Sequence, residues 1–163
     1  KLASEGLVTW IEGKRIKVTK ISKKEITELY EIRKILETKI IGEVARSRSS
    51  KELKQIMNII EETKEILKRG KVDEMVSIGD KFHRILYEIY GNEVCIKIID
   101  DLTTQVKRYA YIALNQKERA FNNVKEHIQM AEYIKNKDSK KAEKAMKTHI
   151  SHALKATRKR IKE

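Results

Sequence analysis

From Ser22 onward the apolar residues of this chain recur about every 3.6 positions, and no proline interrupts them anywhere in 163 residues. A sequence patterned in this way buries its apolar stripes by packing helices against one another, because a proline-free run with few glycines has little to break a helix early. Local signals divide the run. Ser22 with Glu25, and Ser49 with Glu52, have the form of capping boxes, in which the serine oxygen and the glutamate carboxylate each accept a bond from the other's backbone N–H. Gly70 and Gly91 follow the last periodic residue of two segments, and Asp138 with Ser139 opens the last one. The expected helices run over about 23–47, 50–69, 72–90, 92–115, 117–136 and from Ser139 to about 161. Connections this short predict an all-α antiparallel bundle of six or seven helices, with sequence neighbours side by side. The basic stretch Lys155 to Glu163 is expected to fray.

The first 22 residues follow another rule. Leu7 to Trp10 and Ile16 to Thr19 are β-prone runs, and Ile11 to Arg15 between them supplies a glycine for a turn and two cations, Lys14 and Arg15, for its tip. Two strands alone are not stable, so this hairpin belongs to something larger, and a boundary is expected at residues 22–23.

Composition narrows the setting. No apolar stretch is long enough to span a bilayer, and residues 1–13 lack the apolar segment of a signal peptide. The single cysteine, Cys95, excludes an internal disulfide and suits a reducing cytoplasm; among Val94, Ile96 and Ile98 it reads as a small packed side chain, not a reactive thiol. The expectation is a cytoplasmic protein with no membrane partner. A net charge of +13 is the electrostatic footprint of nucleic-acid binding, yet the lysines are spread along every helix, so charge alone decides nothing.

The informative residues are polar ones on inward stripes. Arg33 lies within the stripe Ile26, Leu29, Tyr30, Leu36, Ile40, Val44, with Glu37 one turn on. A buried guanidinium needs a counter-charge, so it is either a structural partner of Glu37 or an anion-binding group in a cavity. In the second case Arg33→Ala is expected to abolish carboxylate binding and leave the fold intact. His83, His127 and His149 fall on the stripes of three different helices. Imidazole is costly to bury unpaired, and a shared metal ion satisfies three at once. Three imidazoles with oxygen completing the shell suit zinc first, and nickel, manganese, iron or cobalt as well. Gly79, one turn before His83, leaves room beside an imidazole; Asn123 shares the face of His127, and His152 reads as surface. A metal-free core of hydrogen-bonded histidines remains an alternative, and so does a metal-dependent hydrolase-like bundle. Against catalysis, there is no glycine-rich phosphate loop and no HExxH, and Asp100 and Asp101 are adjacent and so point to different faces.

From about residue 23 the chain resembles the FCD effector domain of GntR-type transcription regulators. The resemblance rests on Leu29-Tyr30-Glu31-Ile32-Arg33 with Leu36-Glu37, on Phe82-His83-Arg84-Ile85-Leu86 followed by Gly91-Asn92, on Glu126-His127-Ile128, and on His149-Ile150. Residues 5–19 look like the end of that family's winged helix-turn-helix, with the hairpin as its wing. This implies residues 1–22 as the remnant of a truncated DNA-binding domain and 23–163 as a helical sensor of a small carboxylate. It further implies a homodimer that meets DNA through a domain preceding the hairpin, with Lys14 and Arg15 as a weak wing contact. By the same resemblance His83, His127 and His149 are metal ligands, and Arg33, Asn123 and Arg108 face the effector. The family's aspartate, one turn before the first histidine, is replaced here by Gly79, with Asp80 as the candidate fourth ligand.

Overall fold

The computed structural model describes residues 8–11, 15–18, 22–114 and 116–161. Strands β1 (Val8–Ile11) and β2 (Arg15–Val18) pair antiparallel with Trp10 opposite Ile16, which is the expected hairpin. Lys14 lies outside the described residues, and of Arg15 only the backbone is described. Six helices follow: α1 (Lys23–Ser47), α2 (Ser50–Arg69), α3 (Val72–Tyr90), α4 (Glu93–Leu114), α5 (Lys117–Lys135) and α6 (Ser139–Arg158).

The ends are set by the chemistry of the caps. Glu25 N–H donates to Ser22 Oγ at 3.0 Å and Ser22 N–H to Glu25 at 3.4 Å; Glu52 and Ser49 repeat the exchange at 3.2 and 2.6 Å. Gly70 and Gly91 close α2 and α3 in the left-handed conformation, at φ 71° and 69°, where a side chain would be strained. Through residue 161 the chain packs on the bundle, where the charge pattern predicted fraying. After Arg158 the chain turns on short bonds from Arg160 and Ile161 N–H to Thr157 and Arg158 carbonyls, and this tucks Ile161 into the core. Tyr30 Oη meets the buried Thr157 Oγ1 at 3.0 Å and ties the same end to α1.

The packing departs from expectation at one point. α1 makes its most extensive contact with α6, touches α3, α4 and α5 as well, and makes none with its neighbour α2 among the described residues. Gly42 explains the first contact: Glu143 of α6 lies where its Cβ would be, so the two helices approach closely there. Arg48 explains the second. Its guanidinium donates to the carbonyls of Ile134 and Lys135 at 3.1 and 2.6 Å, so the junction after α1 caps the end of α5, and α2 packs on α3 and α5 instead. Ile26, Tyr30, Ile40, Ile41, Phe82, Leu86, Met130 and Met146 belong to the main core; Ile66, Met75, Ile78, Ala120 and Val124 form a satellite where α2, α3 and α5 meet.

Candidate metal centre and internal cavity

Three helices bring one imidazole each to a common point. His83 of α3, His127 of α5 and His149 of α6 cluster with ligating nitrogens within 4.8 Å of one another. Nε2 of His149 lies 3.1 Å from Nε2 of His83 and 3.4 Å from Nε2 of His127. Two nitrogens bound to one tetrahedral ion at about 2.05 Å are about 3.3 Å apart, so this spacing is that of a ligand set. His127 lies deepest, its ring stacked on Phe82 at 4.7 Å and 20°. Gly79 is what admits it: a Cβ there would stand 3.1 Å from His127 Cε1 and 3.0 Å from Asn123 Nδ2.

The outward nitrogens of two rings are held by carboxylates. His149 Nδ1 meets Glu126 Oε2 at 2.7 Å. His83 Nδ1 lies 2.7 Å from Glu37 Oε2 in a bent approach that leaves both atoms short of an aligned hydrogen bond. An Nδ1–H facing a carboxylate leaves the Nε2 lone pair facing inward. Lone pairs at 3.1 Å repel unless a cation or a proton stands between them. Burial disfavours the charged form of His149 and, offset in part by Glu126, lowers its pKa to about 4. Burial also holds His127 well below its ordinary value, with His149 and His83 adding to the effect. Neutral imidazoles converging on one point fit a transition metal ion, and residues 83, 127 and 149 can hold one from three sides.

Each carboxylate has its own cation. Arg33 Nε and Nη2 reach Glu37 Oε1 at 2.9 and 2.8 Å, with the guanidinium 5.1 Å from the Tyr30 ring. Burial alone would raise the Glu37 carboxyl, but Arg33 and His83 hold it below the carboxylate range. Arg119 donates to Glu126 Oε2 from Nη1 and Nη2 at 3.3 Å and to Asn123 Oδ1 at 3.3 Å, while its buried Nε has no partner among the described residues. Burial again works against Glu126, yet His149, His152 and Arg119 bring it down to about 2. Two Arg–Glu–His relays, one from α1 to α3 and one from α5 to α6, thus converge on one centre.

Above the centre opens a cavity of about 380 Å³, the size of a small-metabolite site. His83 and His149 form part of its floor, Arg33, Arg119 and Asn123 its polar wall, and Ala110, Ala113, Ala153 and Ala156 leave the space. Arg33 both pairs with Glu37 and lines the cavity, and its contacts to Glu37 use only the Nε–Nη2 edge. Asp80 lines the mouth but is not drawn into the histidine cluster; it is exposed and lies 3.8 Å from Lys107 Nζ. The Arg108 side chain is outside the described residues. His152 is at the surface as expected, yet its Nδ1 reaches Glu126 Oε1 at 2.8 Å. Sequence reasoning passed over Arg119 and gave Glu126 no role. The spacing 119, 123, 126 along one edge of α5 was the available signal. One expectation needs correcting. Arg33→Ala would strand a fully buried carboxylate, at about 3–5 kcal/mol, so it is not a fold-neutral variant.

The helical bundle thus closes over a cavity with histidines in its floor and arginines in its wall. The FCD domain family model matches residues 28–152, and the chain belongs to that family, as an FCD domain of the GntR type of transcription regulator. It is 23% identical over 152 residues to the uncharacterized HTH-type transcriptional regulator YdhC of Bacillus subtilis (strain 168), covering 93% of this chain and 68% of that one. Among solved structures it resembles E. coli McbR/YncC with a TM-score of 0.82 at 13% identity, over 99% of this chain and 77% of that one. It also resembles the metal-free FCD domain of TM0439, with a TM-score of 0.70 at 21% identity over 86% and 96% of the two chains. Its relatives are transcription regulators, not enzymes. No described helix is long and apolar enough to cross a membrane.

Proposed function

We propose that residues 23–163 are the effector-sensing domain of a homodimeric DNA-binding regulator, and that residues 1–22 are the end and wing of its winged helix-turn-helix. A divalent transition ion, zinc by preference, is held by Nε2 of His83, His127 and His149. A small carboxylate enters the cavity above, with one end on the open side of the ion and the other charges met by Arg33, Arg119 and Asn123. The observation that carries this reading is the 3.1 and 3.4 Å spacing of three imidazole nitrogens, two of whose rings, His83 and His149, face carboxylates on their far sides. The effector acts by differential affinity. It favours the packing of α1, α3, α5 and α6 that best closes the cavity, and so resets the DNA-binding halves to which α1 leads.

The test pairs metal analysis with ligand response. Protein purified without a nickel column is expected to carry about one equivalent of transition metal per chain. A panel of small carboxylates is expected to raise Tm in metal-loaded protein and not after stripping with EDTA. Arg33→Lys keeps the charge and loses the fork, so it is expected to retain metal while weakening the carboxylate response about tenfold. No metal after dialysis against zinc, or equal carboxylate shifts with and without EDTA, would overturn the reading.

A further inference from the structure

The cavity does not account for the cations on the outer side of the same helix end, beside Ala156 and Thr157 of its wall. Lys155, Arg158, Lys159 and Arg160 are four exposed cations within six residues at the end of α6, and none has an acidic partner among the described residues. Elsewhere surface cations are commonly paired: Lys64 with Glu61, Lys68 with Glu65, Lys81 with Glu62, Arg84 with Asp100, Lys141 with Asp138. Cations in a last helical turn complement the carbonyl dipole, which accounts for one or two of the four. Two shallow grooves flank the helix end. One, of about 420 Å³, is lined by Lys23, Lys155, Arg158 and Lys159 with no acid; the other, of about 240 Å³, brings in Arg160 and Arg119, with Glu118 its one acidic residue.

We propose that this end of the bundle, the C-terminus of α6 with the N-terminus of α1, contacts the phosphates of duplex DNA independently of sequence, in addition to any contact made by the hairpin. Position supports a duplex as the polyanion. Only four residues separate Val18 of β2 from Lys23 of α1, so the α1 side of the patch is held within about 18 Å of the hairpin. Its chemistry argues against a membrane. Surface-lying helices combine basic and large apolar side chains, but the exposed Ile32, Ile35, Val94 and Ile98 lie on α1 and α4, away from the α6 end. Phosphate contacts of this kind add affinity without specificity, and do so with a salt dependence that counts them.

The experiment measures anisotropy of a short labelled duplex of arbitrary sequence, titrated with the 163-residue chain at about 50 and 200 mM salt. One variant carries Lys155→Gln, Arg158→Gln, Lys159→Gln and Arg160→Gln. A charge-matched control carries Lys51→Gln, Lys54→Gln, Lys137→Gln and Lys140→Gln, at the opposite end of the bundle. The expected result is a loss of tenfold or more in the first variant, with the slope of log K against log salt falling by about 0.9 per lost contact, and less than a twofold change in the control. The double variant Arg158→Gln with Lys159→Gln serves where the quadruple one melts early, and is expected to lose about half the slope change. Equal weakening by both quadruple variants would assign binding to diffuse charge and overturn the proposal. So would a parent chain that ignores duplex DNA, or one whose patch variant loses only binding to phosphatidylserine vesicles.

Discussion

Gly79 shows how one residue sets the terms for a site. A glycine inside a helix costs about 1 kcal/mol relative to alanine, and α3 bears that cost where His127 and Asn123 press against its backbone. Gly79→Ala is expected to regain helix propensity and yet push the His127 ring by a few tenths of an ångström. Thermal melts in EDTA should show Tm unchanged or raised, while a zinc competition titration should show affinity reduced by tenfold or more, the scale seen when the support of a metal ligand is disturbed. Unchanged zinc affinity would mean that His127 is not a ligand. At this scale the sequence was readable for the three histidines, because imidazole on an apolar stripe is conspicuous. It was not readable for Glu126 and Arg119. Charged residues near a stripe edge look solvated until two other helices are seen to close over them.

Helices were legible because their ends carry side-chain chemistry. Both capping boxes form, and both glycines after α2 and α3 take positive φ, so the start and stop signals coincide with the true boundaries. Ser49→Ala removes the oxygen that accepts Glu52 N–H and is expected to lower stability by about 1 kcal/mol, read from the urea midpoint at constant m. A loss below a few tenths would show that water replaces the cap. Partners were less legible than boundaries. A two-residue junction after α1 suggested α2 as its neighbour, but the Gly42–Glu143 contact and the Arg48 bonds to α5 are long-range events that no local pattern announces. Fraying was expected over residues 155–163, yet through residue 161 the chain packs, since the buried Thr157 and Ile161 interleave with the cations there.

For the whole molecule, the buried relays make folding depend on pH in a definite direction. His149 stands at about 4 in the folded chain against an ordinary 6.5, with burial as the main cause, and His127 moves the same way. The unfolded chain therefore takes up these protons first, and stability falls as pH drops through the window from 6.5 to about 4. Glu126, lowered from 4.5 to about 2 against the opposing effect of burial, extends the loss into the next window. Glu37 acts in the same sense, because Arg33 and His83 overcome its burial. Metal-stripped protein is expected to lose Tm steadily below about pH 6.5, with no compensating gain from the surface pairs, which are worth little. An ion held by neutral imidazoles would bind only the folded chain, so saturating zinc is expected to raise Tm at neutral pH, by an increment that shrinks once protons compete for the imidazoles. Scanning calorimetry from about pH 7.5 to 4, with EDTA and with zinc, separates the two effects. A Tm that stays flat between pH 6.5 and 5 in EDTA would mean that His127 and His149 take up protons alike in the folded and unfolded chains. No rise in Tm with zinc at neutral pH would mean that these three imidazoles hold no ion.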